Sequence, residues 1–414
     1  MSGNSKMKIY LYLAIPSAVS NKQINRTGKK YIKNRLRRLV DLAEWTLMRR
    51  TRVHYNTFED HRHSNRGDIA LQQAINSDLR RLFSNRPMEI QEIAWGDLDE
   101  GLLDEINENG DLFVIGGSGY LHINHAGDLN RIFANDLPLL GAMKCPAATL
   151  GIGINYVLMS DDALSRFSYS ESAVKSFAEF ASALDLISVR DRWAEAALAG
   201  PGTPYLVADP ALFLPDKPVI TGKKTRQNEK IRIGLNFSLH GSDSQETLHR
   251  NLPLYVKALK RIQRAHNVEY IYFLHSDAER FIWQALKIAG ITAKLIDASP
   301  EEMLRQYGAL DLHICQMMHS SIMSMSVCTP TLNLAYDLKI LSFFDLMELS
   351  DWSVNAYTIT EESLVTSIET LIKERGNIHD HLVEKIYTLH EAYEDFLREV
   401  QAIALPSPEG RAKG

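Results

Sequence analysis

Residues 269–315 read EYIYFLHSDAERFIWQALKIAGITAKLIDASPEEMLRQYGALDLHIC. Short runs of aliphatic, aromatic and β-branched residues at 269–274, 292–296 and 310–315 alternate with segments of helical length at 277–289 and 300–307. Apolar runs of that length read as buried strands. A helix between two strands makes a crossover, which is how parallel neighbours are joined, and right-handed crossovers build a parallel sheet.

The same alternation extends in both directions. Upstream, 230–237 reads as a strand opening on a loop at 238–244, and 252–266 as a long helix. Downstream, 320–327 reads as a helix of small and sulphur-containing residues and 329–336 as a further strand. His319 falls at the junction of strand and helix, where free N–H groups attract anions. Helices at 361–375 and 377–404 and a frayed tail complete the chain.

The first half repeats the pattern. Strands are expected at 52–58, 88–95, 111–115, 147–153 and 185–189, with helices at 65–83, 97–107, 170–183 and 192–199. Gly67 permits a tight turn and Asp68 is placed to cap the helix that follows. Gly116-Gly117-Ser118-Gly119 lets a ligand approach the backbone after a strand, without the dinucleotide fingerprint. Arg190 stands at a strand end, suited either to an ion pair with Asp191 or a neighbour or to an anion. His122 and His125 read as solvated loop histidines, because the nearest acids, Asp128 and Asp136, complete no metal pattern.

With 414 residues the chain suits more than one domain. Polar residues with Pro215, Pro218 and Gly222 mark a linker at 216–230. The expected division is an extension at 1–50, domains at 51–215 and 231–350, and terminal helices at 351–414. A hydrophobic content of 45% and a charged content of 23% are those of a soluble globular protein. Cys145, Cys315 and Cys328 have no metal-ligand spacing and imply a reducing compartment.

The net charge of -5 is unevenly spread. Residues 1–52 hold 13 Lys and Arg against Asp41 and Glu44, or +11, which leaves -16 for the rest. The apolar run 9–15 after Lys6 and Lys8 reads either as the start of a secretory leader or as a short strand. Leu36, Leu39, Val40, Ala43 and Leu47 recur at helical spacing within 31–50. That basic amphipathic helix either packs on the body with a solvated basic face or attaches to an anionic membrane surface.

Six short motifs occur in a fixed order: Asn65-x-Gly67-Asp68-x-Ala70, Asp111-Leu112-x-Val114-Ile115-Gly116-Gly117, Ile187-Ser188-Val189-Arg190-Asp191, Asp209-Pro210-Ala211-Leu212, His275-x-Asp277, and His319 with Pro330 and Tyr336-x-x-Lys339. The order resembles the polysaccharide pyruvyl transferase family over about 52–349. The resemblance implies an α/β fold of two Rossmann-like domains with parallel sheets, like that of GT-B glycosyltransferases, and an active site in the interdomain cleft. It also implies a pyruvyl ketal formed from phosphoenolpyruvate, as co-substrate with no cofactor, on sugar hydroxyls of a surface polysaccharide or its lipid-linked precursor. Implied partners are a glycan or lipid-linked oligosaccharide and no nucleic acid, and the implied location is cytoplasmic, peripheral at the inner face of the membrane if the basic helix attaches there rather than packing on the body.

On this reading His319 serves as acid or stabilises departing phosphate, and Asp68 deprotonates the acceptor. Arg190, His319, Ser320, Tyr336 and Lys339 are expected around the donor, and Asn65, Gly67, Gly116, Gly117 and His275 around the substrate cleft, with no metal. Two positions depart from the family. Met317 occupies the place of the arginine in its Arg-x-His motif, and Ser118 the place of a third glycine. A thioether carries neither the charge nor the donors of a guanidinium. Two other readings stay open: a glycosyltransferase using a nucleotide sugar, for whose nucleotide Glu301, Glu302 and Arg305 are only weak candidates, and a non-catalytic glycan-binding relative.

Overall fold

The apolar run after Lys6 is a strand. Met7–Leu13 (β1) pairs in parallel with Met88–Ala94 on one side and with Leu112–Gly116 on the other. A parallel strand with neighbours on both sides and cover on both faces is apolar almost throughout, which gives it the composition of a leader. Ile9, Leu11 and Leu13 enter one buried layer, and Tyr10 and Tyr12 the other. The boundary at residue 50 is corrected accordingly, because the first sheet takes a central strand from the segment read as an extension. The computed structural model describes residues 6–17, 29–48, 65–124, 127–156, 168–200, 203–215, 230–238 and 242–405. The strand expected at 52–58, most of the linker, His125 and the tail lie outside them.

The first half continues with α1 (Lys29–Met48), α2 (Arg66–Leu82), β2 (Met88–Ala94), α3 (Glu100–Asn109), β3 (Leu112–Gly116), β4 (Leu121–His122), α4 (Arg131–Gly141), β5 (Ala147–Leu150), β6 (Ile154–Asn155), α5 (Glu171–Ser182), β7 (Ser188–Val189), α6 (Arg192–Ala197) and β8 (Tyr205–Leu206). Its main sheet is parallel in the order β2-β1-β3-β5.

The second half comprises β9 (Ile231–Asn236), α7 (Ser242–Ala265), β10 (Val268–Phe273), α8 (Arg280–Ile288), β11 (Ala293–Ile296), α9 (Pro300–Tyr307), β12 (Leu312–Cys315), α10 (Met318–Met325), β13 (Thr331–Ala335), α11 (Leu338–Leu346), β14 (Ser353–Asn355) and α12 (Glu361–Ala404). The six strands form one parallel sheet in the order β11-β10-β9-β12-β13-β14. The order reverses between β9 and β12, and a ligand crevice opens at such a reversal, outside the carboxyl ends of the strands. His319 follows β12 at this place. β14 adds an edge strand beyond residue 350, too short to show periodicity.

The last two expected helices are one helix of 44 residues. Leu364, Ile368, Leu371, Ile378, Leu382 and Ile386 keep one buried face across Gly376. A Cβ at Gly376 would meet nothing within 4 Å, so this glycine marks no close approach. The start of α12 belongs to the second half, while its end returns to the first: Tyr393 Oη donates to Asp78 at 2.9 Å and Glu394 pairs with Arg81.

Helix α1 lies on α8, where the Trp45 indole donates to the Ala285 carbonyl at 3.1 Å. Asp41 and Trp45 are buried, whereas Leu36, Leu39, Val40 and Leu47 are exposed. The helix packs on the body with the face opposite the expected one. Among the described residues no helix is long and apolar enough to cross a membrane.

Candidate active site

Two helix starts meet between the sheets. Asn65 caps α2 by accepting from Gly67 N at 3.1 Å, so the capping role expected of Asp68 belongs to Asn65. Asp68 lies one turn in and is free for other partners. Its Oδ2 accepts from Asn65 Nδ2 and its Oδ1 from Ser118 Oγ at 3.3 Å. Helix α10 begins at Met318, and its N-cap, Met317, supplies no capping side chain. A helix start without such a cap keeps positive potential for an anion.

Gly67 lets these two helices approach each other. A Cβ there would lie 2.3 Å from His319 Cβ, which no side chain tolerates. The approach sets the imidazole between two carboxylates: Nδ1 is 3.9 Å from Asp68 Oδ1, and Nε2 is 3.8 Å from Asp209 Oδ2. Both distances exceed a hydrogen bond, and the buried Nε2 makes none. The ring is surrounded by charge without being tied to it.

Asp209 belongs to the Asp209-Pro210-Ala211-Leu212 motif, and its own role could not be read from the sequence. It is fully buried at the N-cap of the turn Pro210–Phe213 and pairs with the Arg190 guanidinium. Burial pushes its carboxyl up, but Arg190, then His319 and the Ala211 N–H, overcome that and hold it at about 2. Asp209 is therefore an anion at neutral pH. Arg190 is 2% exposed and committed to this pair, so its role as a donor clamp is revised to one of support. Nor is Asp191 its partner, since that carboxylate caps α6 through Ala194 N at 2.7 Å and also accepts from Ile154 N at 3.0 Å.

The glycine turn after β3 reaches the same place from the first sheet. Cβ atoms at Gly116 and Gly117 would strike Leu13 and Leu71 at 2.5 and 2.7 Å, so both serve close packing. Gly117 and Ser118 have φ of 58° and 59°. Ser118 thus holds a left-handed backbone suited to the glycine it replaces, and its hydroxyl gains the contact with Asp68.

Other candidates sit behind or beside this centre. His275 is buried, with Nε2 2.8 Å from Tyr307 Oη, and its carbonyl accepts from Arg66 N at 3.0 Å, docking α2 on the second half. Ser320 Oγ faces Tyr307 Oη and His313 Nε2, so its hydroxyl belongs to the interior of the second half rather than to a donor. Tyr336 is buried at the end of β13. Lys339 bridges the halves, its ammonium on Asn155 Oδ1 and 3.2 Å from Asp337 Oδ2. Glu302 and Arg305 pair with each other on α9. His122 is exposed.

Glu279 underlies His275. It accepts from His275 N at 2.8 Å and from Asn236 Nδ2 at 3.0 Å, and its other oxygen is buried without a partner. Burial pushes its carboxyl up to about 8, against the pull of those donors and of Arg66. The folded chain therefore binds a proton that the unfolded chain releases above about pH 4.3, and stability falls as pH rises from there through about 8. Glu279→Gln, which resembles the protonated acid, should melt higher than the parent above that window, by on the order of 1–3 kcal/mol, and match it near pH 4. Parallel melting curves for the two proteins across pH would refute this.

Comparison with known proteins agrees with the architecture. The model of a family described as polysaccharide pyruvyl transferase matches residues 14–337. No curated protein matches the chain. A structure assigned as a UDP-N-acetylglucosamine 2-epimerase from Listeria monocytogenes is similar at 13% identity and a TM-score of 0.53, covering 96% of each chain. The MnaA–UDP structure from S. aureus is similar at 13% identity and a TM-score of 0.50, covering 77% of this chain and 89% of that one. Likeness at such identity speaks for the fold alone, a GT-B-like pair of parallel α/β domains.

Proposed function

The chain belongs to the polysaccharide pyruvyl transferase family, and from that premise we propose that it moves a pyruvyl group from phosphoenolpyruvate onto two hydroxyls of a sugar in a surface polysaccharide or its lipid-linked precursor. One acceptor hydroxyl adds to the phosphate-bearing carbon of the enol ester while the methylene carbon takes a proton and becomes methyl. The second hydroxyl then displaces phosphate and closes the ketal. Of the two hydroxyl protons, one is matched by the new methyl proton and the other leaves with inorganic phosphate.

The observation that carries this reading is His319 held between Asp68 and Asp209 at the uncapped start of α10. An imidazole set between two carboxylates is placed to deliver a proton or to steady departing phosphate. Asp68, oriented by Asn65 and Ser118, is the candidate base for the acceptor hydroxyl. The phosphate and carboxylate of the donor fit a helix start that no side chain caps, and this offsets part of what the guanidinium missing at Met317 would supply.

Phosphoenolpyruvate should raise the melting temperature by about 1.4 kcal/mol of linked stability for each tenfold excess over its dissociation constant, and a panel of UDP-sugars should not. Stabilisation by a UDP-sugar alone would replace this reading with glycosyl transfer.

A further inference from the structure

The outer face of α1 carries an exposed apolar stripe that no other described residue covers. At 100° per residue Leu36, Leu39, Val40, Ala43 and Leu47 fall within an arc of about 100°. The face that α1 turns to the body, marked by Asp41 and Trp45, lies opposite. Leu36, Leu39 and Val40 are 59%, 58% and 58% exposed, and Leu47 is 81% exposed. An amphipathic helix normally buries its apolar stripe, and this one buries the other side.

We propose that this stripe docks the protein on an anionic lipid bilayer, α1 lying in the plane of the headgroups. Charge selects the occupant. The helix bears Lys29, Lys30, Lys33, Arg35, Arg37 and Arg38 in its first half, within the segment of +11, while the rest of the chain is -16. An anionic surface attracts this helix and repels the remainder, so the orientation is fixed by sign. A second copy would bring a helix of like charge against this one across a two-fold contact. A bilayer needs no complementary shape, and it accepts four exposed aliphatic side chains along roughly 16 Å of helix. The inference does not depend on the donor, because it concerns only where the molecule resides.

Flotation of the full-length protein tests it, with vesicles of phosphatidylglycerol and phosphatidylcholine in equal parts against vesicles of phosphatidylcholine alone. Binding should favour the anionic vesicles by about tenfold or more, and Lys33→Ala or Arg37→Ala should each weaken it by about fivefold. Leu39→Glu with Leu47→Glu should abolish it at an unchanged melting temperature, since both positions face solvent, and Leu39→Ser with Leu47→Ser serves if the acidic pair unfolds. Equal binding by the substituted proteins, no preference for anionic lipid, or a parent dimer that the substitutions dissociate would each overturn the proposal, the last by assigning the stripe to a second copy.

Discussion

His319→Ala is expected to lower turnover by about 10²–10⁴-fold, the usual contribution of a positioned acid–base group. The fold should survive, because the imidazole Nε2 makes no hydrogen bond to lose. Phosphate release measures turnover, and a thermal melt checks integrity. His319→Gln separates the two roles open to this side chain. An amide can donate to departing phosphate but cannot deliver a proton, so partial recovery by Gln assigns phosphate stabilisation and no recovery assigns acid catalysis. Turnover within threefold of the parent would remove His319 from the mechanism.

Arg190→Ala should act first on stability. Its guanidinium is the counter-charge of a fully buried carboxylate, and removing one partner of such a pair costs about 3–5 kcal/mol. Asp209 would then take up a proton or draw in water, and His319 would lose the fixed anion beside its Nε2. The denaturant midpoint should fall accordingly, and the paired replacement of Arg190 by Met and Asp209 by Leu should recover part of it. A loss below 1 kcal/mol would show that the pair is not buried as described. A solvent-facing clamp would have shown the opposite pattern, with folding intact and donor binding gone.

These two residues illustrate how far the sequence was readable. His319 stood out because it falls between an apolar strand-like run and a helix of small and sulphur-containing residues. Arg190 stood out for the same reason, but its partner lies 19 residues away, and nothing in the spacing distinguishes a residue that meets a ligand from one that meets Asp209. The parallel sheet of the second half was legible because strands buried on both faces are apolar runs between polar turns. That same property left β1 open to a second reading, since a short apolar run after lysines can also begin a leader, although the basic segment that follows disfavours translocation. Gly376 suggested a helix break, whereas the buried stripe on both sides of it decided for continuity. Periodicity also showed that α1 is amphipathic, but periodicity carries no sign and leaves open which face is covered.

Helix α12 gives the molecule a spine. At 1.5 Å per residue its 44 residues extend about 66 Å, rooted beside the second sheet and fastened at the far end to α2 through Asp78, Arg81 and the Leu82 carbonyl. The start of α2 carries Asn65, Gly67 and Asp68, so the rod grips the C-terminal end of the same helix whose N-terminal end meets His319. Any movement that parted the start of α2 from α10 would have to bend this rod or tilt α2 on its far anchorage. The spacing of Asp68 against His319 is thus coupled through the length of α2 to its fastening on α12 at the opposite end.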